Sequence, residues 1–131
     1  MRMLGPCFAG LKGDWTASAP LPGSDLGGLD PLAFASELAR DYPFLNEAVA
    51  LRLTRNYGSD ARQILGQARR SDDLGRHFGF GFSERELEWL VSEEWARTAE
   101  DVLWRRSTLG LHLGADAMNA VAAALNERAA A

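Results

Sequence analysis

The chain has 131 residues, enough for one domain with its own hydrophobic core. With 47% hydrophobic residues and a formal net charge of −4, it has the balance of an ordinary globular domain and lacks the basic surface that non-specific nucleic-acid binding needs. Its single cysteine, Cys7, excludes an internal disulfide and argues against a cysteine-based zinc site, and no apolar run reaches the roughly 20 residues of a membrane-spanning helix.

Residues 1–29 read as an irregular connector. Pro6, Pro20 and Pro22, with Gly23, Gly27 and Gly28, break any periodic structure. The stretch is long for a structureless segment inside a compact domain, and a linker from a neighbouring domain accounts for it. Its start reads poorly as a signal peptide, because Gly5, Pro6, Gly10 and Lys12 interrupt the apolar residues. It nevertheless carries Leu4, Phe8, Leu11, Trp15, Leu21 and Leu26, more large apolar groups than a free linker holds. Separated from its neighbour, the chain is expected to form a weak homo-oligomer through this segment.

Residues 30–131 read as a helical domain. Asp30 before Pro31 supplies an N-cap and a first helical position, and Leu32, Ala35, Leu38, Ala39 and Tyr42 then recur on one face until Pro43. A second helix is expected from about Leu45 to Tyr57, with Leu45, Ala48, Val49 and Leu53 inward. Gly58 should terminate it, and Ser59 should cap a third helix carrying Ala61, Ile64, Leu65 and Ala68. Residues 70–82 are Gly-rich and read as a loop, pinned to the core by Phe78, Phe80 and Phe82. Ser83 and Glu86 have the spacing of a capping box ahead of a fourth helix that buries Leu87, Leu90 and Val91. A sixth helix, about 115–129, should bury Met118, Val121, Ala122 and Leu125.

The fifth helix lies in the densest stretch, WARTAEDVLWRRSTLGL from Trp95 to Leu111. Thr98 and Asp101 stand three apart, as in a capping box with Asp in the acid position. Glu100 and Asp101 then lie near the positive end of the helix dipole, and Arg105 and Arg106 near its negative end. Ala99, Val102 and Leu103 form a short apolar face beside Trp95 and Trp104, and Gly110 should stop the helix. Without any strand-like alternation, the chain is read as all-α: a small bundle of five or six short helices, which must pack together to be stable.

The Trp95–Leu111 stretch closely resembles the C-terminal helical domain of FAD-dependent, quinone-linked glycerol-3-phosphate dehydrogenases. Three further stretches resemble the same family in the same order: WTASAPLPGSDL at Trp15–Leu26, RLTRNYGSDARQIL at Arg52–Leu65 and FSERELEWLVSEEWA at Phe82–Ala96. The resemblance implies an excised C-terminal piece, with 1–29 a remnant of the joining stretch and 30–131 the accessory domain. It implies a parent enzyme that oxidises sn-glycerol 3-phosphate to dihydroxyacetone phosphate, its FAD taking the hydride and passing electrons to quinone. It implies a partner in the preceding flavin-binding domain, and a cytoplasmic location peripheral to the inner face of a bacterial membrane. No catalytic, cofactor-binding or metal-ligating role transfers to this chain.

The candidate interdomain or structural residues are therefore Trp95, Arg97, Thr98, Asp101, Trp104, Arg105 and Arg106. Arg97, Asp101 and Arg105 are spaced four apart and can pair along one face. Capping and intrahelical ion pairing is the favoured reading, and a docking surface is the alternative. His77 and His112 lack ligand-like spacing. Glu93 and Glu94 diverge on a helix, and Ser24, Ser59, Ser83 and Ser107 sit at turns or caps rather than in a nucleophile elbow. Gly79-Phe80-Gly81 lacks the third glycine of a nucleotide loop. The hairpin around Gly58, with Arg62, Gln63, Arg69 and Arg70 as readers, is a second, DNA-binding reading that the acidic charge disfavours.

Overall fold

The computed structural model describes residues 17–130, so the expectations for Leu4, Cys7, Phe8, Leu11 and Trp15 lie outside the described residues. Five α-helices carry the fold. α1 (Pro31–Asp41) begins where Asp30 accepts the backbone N–H groups of Leu32 and Ala33 at 2.9 and 3.0 Å, satisfying two otherwise orphaned donors. It ends before Pro43, as expected. α2 (Glu47–Tyr57) starts two residues later than expected, because Asn46 caps it through Val49 N–H at 2.8 Å. The two helices form the largest helix–helix contact.

Their inward faces differ from the sequence reading. Ala35 and Leu38 are buried, but Leu32 is exposed and Phe34 is buried in its place. In α2, Ala50, Leu53, Thr54 and Tyr57 point inward, while Ala48 is exposed. Phe34 is drawn in by Arg62, whose guanidinium lies 5.3 Å above its ring and pairs with Asp41 at 2.5 Å.

Gly58 terminates α2 at φ +56, a conformation that glycine adopts without penalty. A 3₁₀ turn, Gly58–Asp60, then leads straight into α3 (Ala61–Leu65). Ser59 is therefore not a cap. Its N–H donates to the Gly23 carbonyl at 2.9 Å, and a Cβ on Gly58 would collide with that same carbonyl. Residues 21–26 thus lie against the α2–α3 corner.

The Gly-rich stretch is not a loop. A 3₁₀ turn (Ser71–Leu74) precedes a short antiparallel hairpin of β1 (His77–Gly79) and β2 (Phe82–Ser83). Phe78 and Phe82 are buried with ring centroids 5.4 Å apart, whereas Phe80 is exposed at the tip and stacks on His112. The fold is thus mainly α, with one two-stranded sheet among the described residues.

α4 (Glu84–Ser92) follows β2 directly. Ser83 caps it through Glu86 N–H, but Glu86 does not complete the box. Its side chain is buried and turned to α2. α5 (Ala115–Ala129) closes the domain, burying Val121, Ala124 and Leu125, with Met118 half-buried against the core. Leu38, Ile64, Phe82, Leu87, Leu90 and Val102 meet in one core, each fully buried residue of this kind contributing about 1.5–3 kcal/mol.

A surface network ties α4 to α5. Arg76 pairs with Glu84 at 2.7 Å and with Glu127 at 2.9 Å, and Arg128 pairs with Glu88 at 2.6 Å. The Arg76 guanidinium, and then its backbone N–H, hold the Glu84 carboxyl at about 2 rather than the ordinary 4.5. A carboxyl whose folded value is depressed stabilises the fold fully above its unfolded value, and that contribution is lost as pH falls through the folded one. The urea midpoint is therefore expected to fall between pH 4.5 and 2 more steeply in the native chain than in Glu84→Gln. Parallel midpoint profiles for the two proteins over that window would refute the assignment.

Candidate functional site

The Trp95–Leu111 stretch begins where α4 ends. Glu93 N–H closes the last turn on the Trp89 carbonyl at 2.8 Å. The chain then reverses at Trp95, which has φ +59, and Ala96 N–H returns to the Leu90 carbonyl at 2.9 Å. Ala96 is fully buried and anchors the corner, while Trp95 points outward, 73% exposed.

The next helix is started by the box read from the sequence. Thr98 Oγ1 accepts Asp101 N–H at 3.1 Å, and Asp101 Oδ2 accepts Thr98 N–H at 3.0 Å. The same carboxyl oxygen also takes Arg97 N–H at 3.1 Å. The helix widens into a π turn over Asp101–Arg106, burying Val102 and Leu103. It stops at Ser107 and not at Gly110. The buried Ser107 hydroxyl donates to the Val102 carbonyl at 2.6 Å and accepts Leu109 N–H at 3.3 Å, ending the helix before Gly110 is reached. Gly110 instead lies in a 3₁₀ turn, Leu109–Leu111, under Trp104, whose ring would collide with any Cβ there.

The polar groups resolve into a cap and an ion pair. Arg105 reaches Asp101 at 2.6 Å and Glu100 at 3.0 Å. The Arg105 guanidinium, then the Arg97 and Thr98 backbone N–H groups, hold the Asp101 carboxyl well below the usual carboxylate range. The expected Arg97–Asp101 side-chain pair is not formed, because Asp101 Oδ2 is committed to the backbone. Among the described residues the exposed Arg97 guanidinium makes no hydrogen bond or ion pair. Burial pushes the Glu94 carboxyl up, and the charge of Arg106 draws it partly back. Trp104 is half exposed.

Thr98→Ala is expected to destabilise the domain by about 1 kcal/mol, and Thr98→Ser to be nearly neutral, since serine caps equally well. Equal denaturation midpoints for the two variants would show that Thr98 does not cap this helix.

The other candidates are placed apart. His77 Nε2 lies 3.1 Å from Ser71 Oγ, and His112 stacks on Phe80, so each histidine has a local structural contact. The Gly79–Gly81 tip does not fit FAD. It is a hairpin turn, Val49 occupies the space beside Gly81, and no strand–glycine turn–helix unit lies among the described residues. α3 has five residues, too short to read a groove, and Arg62 is held by Asp41 and Phe34. These contacts weigh against the DNA-binding reading.

One polar cluster was not foreseen. Arg52 holds Glu86 with both Nη groups, at 2.6 and 2.8 Å, and donates to the Gly81 carbonyl at 2.9 Å. Tyr57 Oη donates to Glu86 at 2.8 Å, and burial, then Glu86, push its phenol far above the ordinary range. The cluster joins α2, the hairpin and α4 in the interior. Glu86 is fully buried and Arg52 nearly so, which suits the cluster to hold α4 in place. An open cleft of 720 Å³ lies between residues 21–26 and the end of α2, with Trp89, Glu93 and Glu94 on its far side.

Comparison with known proteins places this arrangement. A family model described as the C-terminal domain of alpha-glycerophosphate oxidase matches residues 15–130. The chain is 42% identical over 121 residues to the aerobic glycerol-3-phosphate dehydrogenase of Escherichia coli, covering 92% of this chain and 24% of that protein. It is 43% identical over 114 residues to a glycerol-3-phosphate dehydrogenase of Pseudomonas aeruginosa, covering 86% of this chain and 22% of that protein. It is 41% identical over 113 residues to the D-erythritol 1-phosphate dehydrogenase of Brucella abortus, with coverage of 86% and 22%. The chain thus spans about a quarter of the length of these relatives.

Proposed function

Because the chain belongs to the family of C-terminal domains of alpha-glycerophosphate oxidase, we propose that it is the C-terminal accessory domain of an FAD-dependent glycerol-3-phosphate dehydrogenase. The observation that carries this reading is the match over nearly the whole chain to a C-terminal domain, together with relatives about four times as long. The parent would oxidise glycerol 3-phosphate to dihydroxyacetone phosphate, its FAD accepting the hydride, and pass the electrons to quinone. Flavin and substrate would be held by the preceding part of the polypeptide. The enzyme would work in the cytoplasm, peripheral to the inner face of a bacterial membrane, where quinone is within reach. Separated from that part, the chain would associate weakly with itself.

The role left to this domain is mechanical. The Arg52–Glu86 pair fixes α4 to α2, the Ala96 N–H bond to the Leu90 carbonyl fixes the corner to α4, and the Thr98 box fixes the start of the next helix, so the corner is presented in one arrangement. The test is steady-state dye reduction by the whole polypeptide that carries this domain. Glycerol 3-phosphate is expected to be oxidised with a higher kcat/KM than D-erythritol 1-phosphate, the substrate named for the Brucella relative. The reverse preference, or reduction with neither, would overturn the assignment.

A further inference from the structure

Among the described residues two non-glycine residues have positive φ, Phe80 and Trp95. Phe80 is partnered by the His112 ring. Trp95 is not comparably placed: it combines a backbone conformation that a bulky residue disfavours with a side chain that is 73% exposed. A left-handed residue in a turn of this kind is ordinarily glycine, which would make it without strain. The domain's own packing thus gives no reason for an indole at this position. A backbone outlier of this kind is a pointer to function.

The surroundings give the indole a rigid mount and a companion. Glu93 N–H closes α4 on the Trp89 carbonyl before Trp95, and Ala96 after it is fully buried and bonded to the Leu90 carbonyl, so both flanks of Trp95 are fixed. Two residues on, the Arg97 guanidinium is exposed and makes no hydrogen bond or ion pair among the described residues. Tryptophan and arginine are the side chains that most often anchor protein interfaces. Trp104 and Leu111, exposed by 51% and 70%, add apolar surface within the same stretch.

We propose that the Trp95–Arg97 corner is the surface by which this domain docks onto the preceding flavin-binding part of its own polypeptide. The partner surface would offer an apolar pocket sized for an indole, with carboxylate or carbonyl oxygens beside it for the guanidinium. The occupant follows from length: the matching family is a C-terminal domain, and about three quarters of each relative lies outside the match. The proposal rests on the chain being the C-terminal part of a flavoenzyme.

Hydroxyl-radical footprinting, read by mass spectrometry, tests it on the isolated chain and on the whole polypeptide. Trp95 is expected to be oxidised freely in the isolated chain and several-fold more slowly in the flavin-loaded polypeptide. Equal rates in the two would overturn the docking face while leaving the enzyme assignment standing. A whole polypeptide without flavin would overturn both. Oxidation in the isolated chain that rises on dilution would name a second copy as the occupant and also reject the proposal. Trp95→Gly supplies the second arm. The isolated variant is expected to melt no lower than the native chain, while flavin release from the whole polypeptide moves down by about 3 °C or more. An isolated variant that melts clearly lower would make Trp95 a structural residue and contradict the proposal.

Discussion

Glu86→Gln is expected to destabilise the domain by about 3–5 kcal/mol, the usual consequence of removing one partner from a buried ion pair. The Glu86 side chain is 1% exposed and Arg52 12%, so the carboxylate cannot turn to water and the guanidinium is only poorly solvated when its partner is lost. Burial works against the Arg52 guanidinium, and its hydrogen bonds and attraction to Glu86 more than offset that cost. The amide of glutamine could still accept one hydrogen bond but would leave the cation uncompensated. Arg52→Met should be similarly harmful, because it strands the carboxylate. The double variant Arg52→Met with Glu86→Leu should be less harmful than either single change, because it strands no charge. Tyr57→Phe should cost only about 1 kcal/mol, the net worth of one hydrogen bond. Urea denaturation of the four variants decides the matter, and near-neutral single variants would show that the pair does not hold α2 to α4.

Phe82→Ala is expected to cost about 3–5 kcal/mol, through lost burial and the cavity left beside Phe78 and the α4 core. Phe80→Gly should be neutral or stabilising. That ring is half exposed, and glycine removes the strain of φ +50, at the loss only of the His112 stack. The two variants lie two residues apart in a segment that reads as one loop, and opposite effects would establish the hairpin as part of the core. Similar effects would show that the Phe rings act as a single plug.

These two segments also mark where the sequence ceased to be legible. The helix starts at Asp30, Ser83 and Thr98 could be read because a cap is local: donor and acceptor lie within three residues. Helix faces were less readable. Leu32 and Ala48 fit the period but point outward, because the neighbour's position, and not the pattern alone, decides which side is covered. The hairpin was missed because glycines, not polar residues, alternate with its phenylalanines, and its strands have only three and two residues. Glu86 was misread for a sharper reason. Its spacing from Ser83 fits a capping box, but Arg52, 34 residues earlier, offers a charged donor that outcompetes a backbone N–H. Gly110 resembled a stop signal, yet Ser107 ends the helix first by taking the Val102 carbonyl. In the Trp95–Arg106 stretch the cap was legible, whereas the left-handed backbone of Trp95 had no sequence signal, since a bulky residue is the last one expected there.

The central proposal, that this C-terminal domain belongs to a flavoenzyme whose flavin sits elsewhere in the polypeptide, is tested most directly by visible absorbance. The isolated chain and the whole polypeptide that carries it are purified side by side, and each is titrated with glycerol 3-phosphate under anaerobic conditions. The whole polypeptide is expected to be yellow, with stoichiometric flavin that bleaches on addition of substrate, and the isolated chain to be colourless. Stoichiometric flavin on the isolated chain, or a whole polypeptide whose spectrum glycerol 3-phosphate leaves unchanged, would contradict it.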